Sequence, residues 1–260
     1  MVEALILGIV EGITEFLPIS STGHLLILQH WLVRQSNLFN VAIQSGAIVA
    51  VTWVYRHRIA ELARSWREPA PRDYLVKLFG AFLVTAVLGL AAKIAGAELP
   101  ETVTPVASAL IVGGLVIFVA EYYARRHVPA HHVTWIVVIA VGVAQVVAGV
   151  FPGTSRSAAA IFAAMFAGLT SRSRAAEFAF LVGIPTMFAA TGYELAKTLM
   201  DDTAVTAEAW DELAVAFSAA TVTGFLAVKW LLGFISGHTF IVFAWYRIAL
   251  GIALLLFLAR

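Results

Sequence analysis

An all-α membrane protein is the fold class this sequence predicts, and three observations predict it. The 260-residue chain is 61% hydrophobic and only 13% charged, with a mean hydropathy of +0.89, outside the range of soluble domains. Its apolar residues gather in runs of the length a spanning helix needs, about 20 residues, at 38–56, 74–97, 103–124, 175–199, 211–235 and 239–259. The short alternating segments of a membrane barrel are absent, so the spans are expected to be helices. There is no cysteine, which excludes disulfides, thiolate catalysis and thiolate metal sites.

The first element, residues 2–33, does not fit as one span because Pro18 to Gly23 break it into half-length pieces. Glu3, Glu11 and Glu15, with no basic start and no small-residue cleavage site, argue against a cleavable signal peptide. The 38–56 span runs into a connection rich in Arg56, Arg58, Arg64, Arg67, Arg72 and Lys77. Spans 74–97 and 103–124 flank Glu98 and Glu101 and end at Arg125 and Arg126. Residues 133–169 are again broken, by Pro152 to Ser157, and lead to Arg172 and Arg174. Span 175–199 is followed by Asp201, Asp202, Glu208, Asp211 and Glu212, then by the spans at 211–235 and 239–259. The positive-inside rule places the arginine-rich connections in the cytoplasm, and the acidic connections are expected outside.

With cytoplasmic arginines on both sides, 133–169 must enter and leave by one face, as a re-entrant hairpin. The chain then counts as a hairpin plus three spans, twice: residues 1–124 with hairpin 2–33, and 125–260 with hairpin 133–169, in one integral membrane domain. An odd number of spans between the hairpins makes the repeat inverted. An offset of 134 lays Gly8 on Gly142, Glu11 on Gln145, Pro18 on Pro152, Ser20 on Thr154 and Ser21 on Ser155. Inverted repeats with broken helices meeting near the midplane are a known membrane architecture.

The breaks carry the chemistry. Polar groups are costly in hydrocarbon, so a cluster of them there marks a functional site. Glu11 and Glu15 are four apart and share a helix face; either one holds a proton, a hard divalent cation with a preference for oxygen ligands lies between them, or the pair is structural. Ser20, Ser21 or Thr22 caps the next helix, whose free amides suit a phosphate. Thr154 and Ser155 repeat that arrangement beside Arg156, whose planar fork matches phosphate oxygens; its resting partner is either such an anion or Glu11 or Glu15. His24 follows Ser21 by three residues, the spacing of one helical face, and an imidazole near a hydroxyl serves as acid, base or nucleophile. The remaining histidines and most tryptophans fall at span ends, where interfacial side chains are expected.

At these residues the chain resembles the bacterial undecaprenyl-pyrophosphate phosphatases of the bacitracin-resistance type, over nearly its whole length. The matching text is Glu11-Gly-Ile-Thr-Glu15-Phe-Leu-Pro18-Ile-Ser-Ser-Thr-Gly-His24 and Pro152-Gly-Thr-Ser-Arg156-Ser157, with Glu177-Phe-Ala-Phe-Leu and Tyr246-Arg247 as lesser matches. The resemblance implies hydrolysis of the C55 lipid pyrophosphate to the lipid phosphate and inorganic phosphate, recycling the carrier for cell-wall synthesis at an outward-facing site in the bacterial inner membrane. Family roles fall on Glu11, Glu15, Ser21, Thr22, His24, Ser155 and Arg156. One departure is visible: where the family continues with Gly, a small residue and Thr, this chain reads Ala158-Ala159-Ala160.

The expected catalytic set is therefore Glu11, Glu15, Ser21, His24 and Arg156, with Ser20, Thr22, Thr154, Ser155 and Ser157 on the phosphates. A pyrophosphate between two carboxylates needs a cation, so Mg2+ or Ca2+ on Glu11 and Glu15 is expected. Ser21 is the first candidate nucleophile, His24 the second and an activated water the third. Expected partners are the prenyl pyrophosphate, the bilayer and a second copy of the chain as a homodimer; nucleic acid is not expected. The alternative function is a polyprenyl-phosphate or anion transporter built on the same repeat, although transport has little need of the acid-base groups crowded into residues 11–24.

Overall fold

The structure, a computed structural model, describes residues 1–32, 35–97, 102–200 and 209–258. These residues form eleven helices and no strand: α1 (Val2–Phe16), α2 (Ser21–Trp31), α3 (Asn37–Val54), α4 (Arg56–Arg64), α5 (Pro69–Ile94), α6 (Val103–Arg126), α7 (Trp135–Val150), α8 (Arg156–Phe166), α9 (Arg172–Leu199), α10 (Trp210–Gly237) and α11 (Ile241–Phe257). Helices α5, α6, α9 and α10 are long and apolar enough to cross a membrane by themselves. At 18 residues for α3 and 17 for α11, those two sit at the short end of the spanning range. Glu98, Glu101, Asp201, Asp202 and Glu208, expected in the outer connections, lie outside the described residues.

Both breaks form where proline demands them. Leu17 and Phe151 each precede a proline and are extended, with ψ of 141° and 96°, because the pyrrolidine ring disfavours a helical residue before it. The next helix of each pair then starts from a serine at positive φ: Ser20 at 71° caps α2 by accepting from the Gly23 amide at 3.3 Å, and Ser155 at 67° caps α8 by accepting from the Ala158 amide at 3.3 Å. They are the only non-glycine residues with positive φ among those described. Such strain persists where surrounding packing over-determines it, often at functional sites.

Two of the half-length helices pack on long helices through glycine. Helix α1 lies against α10, and α7 against α5. Without a strong hydrophobic drive between helices in lipid, close approach through small residues holds such pairs. A Cβ at Gly8 would lie 2.2 Å from the Ala216 carbonyl oxygen of α10, and one at Gly142 would lie 2.6 Å from the Val84 side chain of α5. These are the two glycines that the 134-residue offset superposes. Helices α3 and α9 pack together, as do α6 and α11.

The arginine-rich connection after α3 departs from the expected loop. Residues Arg56 to Arg64 form a helix bent 64° from α3 at Tyr55. It is amphipathic, with Leu62 buried and the Arg58 guanidinium on Glu61 at 2.9 Å, as a helix lying in an interface requires. Its Arg58 also reaches Glu177 of α9 at 3.2 Å, which Arg174 pairs at 3.3 Å, while Arg172 forks onto buried Glu121 of α6 at 2.9 and 2.5 Å. The basic segments read as cytoplasmic thus gather at one end of the bundle.

Candidate functional site

Two half-length helix pairs bring their breaks together. Ser157 Oγ in the first turn of α8 donates to the Leu17 carbonyl of the first break at 3.3 Å and contacts Ser155 Oγ at 3.1 Å. A stronger link comes from Arg247 on α11, the largest fully buried side chain. Its guanidinium donates to Pro18 O in the first break (3.3 Å), to Gly153 O and Thr154 O in the second (3.1 Å each), and to Ala109 O and Leu110 O of α6 (3.1 and 3.3 Å). Carbonyls freed where helices stop need donors inside a membrane, and one arginine serves both breaks. Gly113 makes room for it, since a Cβ there would lie 2.1 Å from Nη2.

On the first break, Ser21 Oγ donates to Glu15 Oε2 at 2.6 Å. The two are six residues apart and meet because the chain turns between them. A short, charge-assisted bond of this kind orients a hydroxyl and gives its proton somewhere to go. Glu11 is fully buried one turn away from Glu15, and neither of its oxygens has a hydrogen-bond partner among the described residues. A buried, unpartnered carboxylate is unstable as a bare anion, so Glu11 carries a proton or faces a cation.

Both ring nitrogens of His24 are engaged by groups other than Ser21. Its Nδ1 donates to the Ser20 carbonyl at 2.7 Å, and Nε2 accepts from the Tyr246 hydroxyl at 2.6 Å, with the rings stacked 5.6 Å apart at 2°. A carbonyl only accepts, so the Nδ1–H tautomer is fixed by this contact. Ser20 uses its hydroxyl in the α2 cap. Thr22 is half-buried beside it.

Arg156 opens α8 and forms no ion pair with Glu11 or Glu15 among the described residues. It does share with Glu15, Gln145 and Ser157 the wall of a cavity of about 20 Å³, room for about one water. Ala160, the position at which the sequence departs from the expected threonine, lines the same cavity. Beyond the second break, α6, α7 and α8 enclose an almost wholly apolar groove of about 620 Å³, walled by Val112, Val116, Phe151, Phe162 and Phe166, with Pro152 and Thr154 at its polar end. Phe151 and Phe166 are themselves exposed on the bundle surface.

The structure therefore brings Glu11, Glu15, Ser21 and Arg156 around meeting breaks, uses Ser20, Ser155 and Ser157 to build those breaks, and turns His24 toward Tyr246. Sequence reasoning gave Arg247 and Tyr246 no role. A lone arginine inside the 239–259 apolar run was the available signal, since a charge at that depth needs partners.

No group of three or more His, Cys, Asp or Glu that could hold a metal occurs among the described residues.

The family model described as "Bacitracin resistance protein BacA" matches residues 4–253. The chain is 58% identical over 254 residues to the undecaprenyl-diphosphatase of Rhizobium etli (strain CIAT 652), covering 98% of this chain and 96% of that protein. It is 58% identical over 258 residues to the undecaprenyl-diphosphatase of Xanthomonas campestris pv. campestris (strain 8004), covering 99% and 98%. On a match spanning both breaks and nearly all of the bundle, the chain belongs to the bacitracin resistance protein BacA family.

Proposed function

We propose that this protein is a membrane undecaprenyl-diphosphatase, removing the terminal phosphate from a long-chain prenyl diphosphate. The observation that carries the mechanism is the 2.6 Å bond from Ser21 Oγ to Glu15 at a break that also meets Arg156. Ser21 Oγ attacks the terminal phosphorus as Glu15 takes its proton. The bridging P–O bond breaks, and the electron pair leaves with the lipid monophosphate. Water then hydrolyses the phosphoserine, returning the Ser21 hydroxyl and releasing orthophosphate. Arg156 and the amides at the start of α8 stabilise charge on the transferring phosphoryl. Glu11, with both oxygens orphaned, and Glu15 fit a divalent cation, Mg2+ or Ca2+, which when bound supplies Lewis-acid neutralisation of the phosphate oxygens. The apolar groove beside Thr154 fits the prenyl chain, and the exposed Phe151 and Phe166 open it to the bilayer.

The acid-base pair at Ser21 has no part in simple transport, and the names of the relatives favour the enzyme. The test is phosphate release from purified protein in detergent with a long-chain prenyl diphosphate, with and without EDTA. Metal-dependent release is expected; tight lipid binding without release would favour a transporter. Glu15→Gln keeps the size of the side chain but removes the base, and turnover is expected to fall by about 10²-fold or more. If phosphoserine at Ser21 still forms at the native rate in that variant, as read by rapid quench with labelled substrate, Glu15 is not the base.

The inverted relation of the halves, the inner-membrane location and the outward-facing site form part of the same proposal. Their support is the convergence of the basic segments at one end of the bundle. A cysteine at Ala97, just past α5, is expected to react with an impermeant thiol reagent in intact cells, and one at Arg64 in α4 to be protected. The reverse pattern would invert the orientation. A homodimer is retained as an expectation, to be read from the mass of the detergent-solubilised particle.

A further inference from the structure

The second break has two unlike sides. Toward α6 lies the apolar groove, and toward α5 and α9 lies a separate cavity of about 210 Å³ whose wall includes Thr85, Lys93, Gln145, Arg156 and Thr186. Two cationic side chains line it and no carboxylate does. Lys93 comes from the last turn of α5 and is exposed at the mouth. Its ammonium lies 4.2 Å from the centre of the Tyr193 ring, a contact that positions the charge without neutralising it. Gln145 is only 4% exposed; its Oε1 accepts from Thr186 Oγ1 at 3.1 Å, while Nε2 has no partner among the described residues. A buried donor left unpaired is costly unless an acceptor completes it.

Two cations, an unpaired amide donor and small hydroxyls call for a compact anion with several acceptor oxygens. Arg156 and Gln145 also line the small cavity that holds Glu15, so this anion site adjoins the place where the P–O bond breaks. The apolar groove lies across the break and claims the lipid-linked end of the substrate. On the reading of the protein as a diphosphatase, the group left on the Lys93 side is the terminal phosphate. We propose that the Lys93–Gln145–Arg156 cavity is an orthophosphate subsite, which takes the phosphate freed by hydrolysis and passes it to water at the end of α5.

Lys93 has no hydrogen bond or ion pair with Glu15, Ser21 or Arg156 among the described residues and packs on Tyr193, so Lys93→Met separates product handling from chemistry. The readouts are the single-turnover rate, inhibition by inorganic phosphate and inhibition by the lipid monophosphate. The single-turnover rate, the melting temperature and lipid-monophosphate inhibition are expected to match the parent. The inhibition constant for inorganic phosphate is expected to rise by about tenfold, from one lost charge-assisted contact, with Lys93→Arg close to the parent and Lys93→Glu weaker still. Unchanged phosphate inhibition in Lys93→Met and Lys93→Glu would overturn the proposal. So would weakened inhibition by the lipid monophosphate with phosphate unaffected, which would assign the cavity to the lipid-linked phosphate. If the parent protein cleaves no diphosphate, the phosphatase reading fails first, and equilibrium binding of labelled phosphate still decides the subsite: Lys93-dependent binding supports it, and equal binding in Lys93→Met overturns it.

Discussion

Arg156→Lys is expected to lose about 10²-fold or more in turnover and Arg156→Ala about 10³-fold or more, with the melting temperature in detergent unchanged in both. The expectation rests on what Arg156 does not do at rest. It opens α8 and lines two cavities, yet makes no ion pair with the carboxylates on the facing break. Its charge is therefore available to a phosphoryl group in flight. Lysine preserves the charge but not the planar fork that contacts two phosphate oxygens at once, so the conservative change should still be damaging. An arginine serving only as a structural bridge to Glu11 or Glu15 predicts something else: stability and turnover would fall together, and neutralising the paired glutamate would restore folding. Normal melting with lost turnover supports the phosphoryl clamp, and parallel loss of both sinks it.

Much of this arrangement was legible in the sequence, and the reasons differ element by element. The helices followed from apolar run length, and both breaks from Pro18 and Pro152, because proline's effect on the preceding residue is local. The carboxylate pair was legible because Glu11 and Glu15 sit on one uninterrupted helix with a fixed period. What the sequence did not show was any contact that crossed a break or depended on a distant segment. Ser21 and His24 have the spacing of one helical face, yet the ring nitrogens of His24 are taken by Ser20 and by Tyr246, 222 residues away. Ser21 instead meets Glu15 across the turn, a pairing no helical period encodes. Helix α4 was hidden because its arginines dominate the composition, while the burial of Leu62 that holds it depends on neighbours remote in sequence. Arg247 advertised itself as a charge in an apolar run, but carboxylates are the partners one looks for. Its partners are three carbonyls of the two breaks and two of α6, which come together only once the fold has formed.

Arg247→Met is expected to behave in the opposite way to the Arg156 variants, with melting temperature and turnover falling together. The guanidinium donates to five carbonyls drawn from Pro18, Gly153, Thr154, Ala109 and Leu110. Methionine fills comparable space but supplies no donor, leaving the carbonyls of the two breaks without a hydrogen-bond donor in a site with little water. The loss is estimated at about 3–5 kcal/mol of stability, in the range of broken buried polar networks. Lysine should rescue only part of it, since a single ammonium cannot span both breaks with the reach of the fork. Gly113→Ala supplies an independent probe, because its new Cβ would fall 2.1 Å from Nη2 and displace the guanidinium without removing it. A milder loss with the same parallel signature is expected there. If Arg247→Met instead melted like the parent while turnover vanished, Arg247 would have to act on the substrate itself. Its burial behind the break carbonyls argues that it acts through them, by holding the cap of α8 and the end of α1 at the separation that lets Ser21, Glu15 and Arg156 work on one phosphorus.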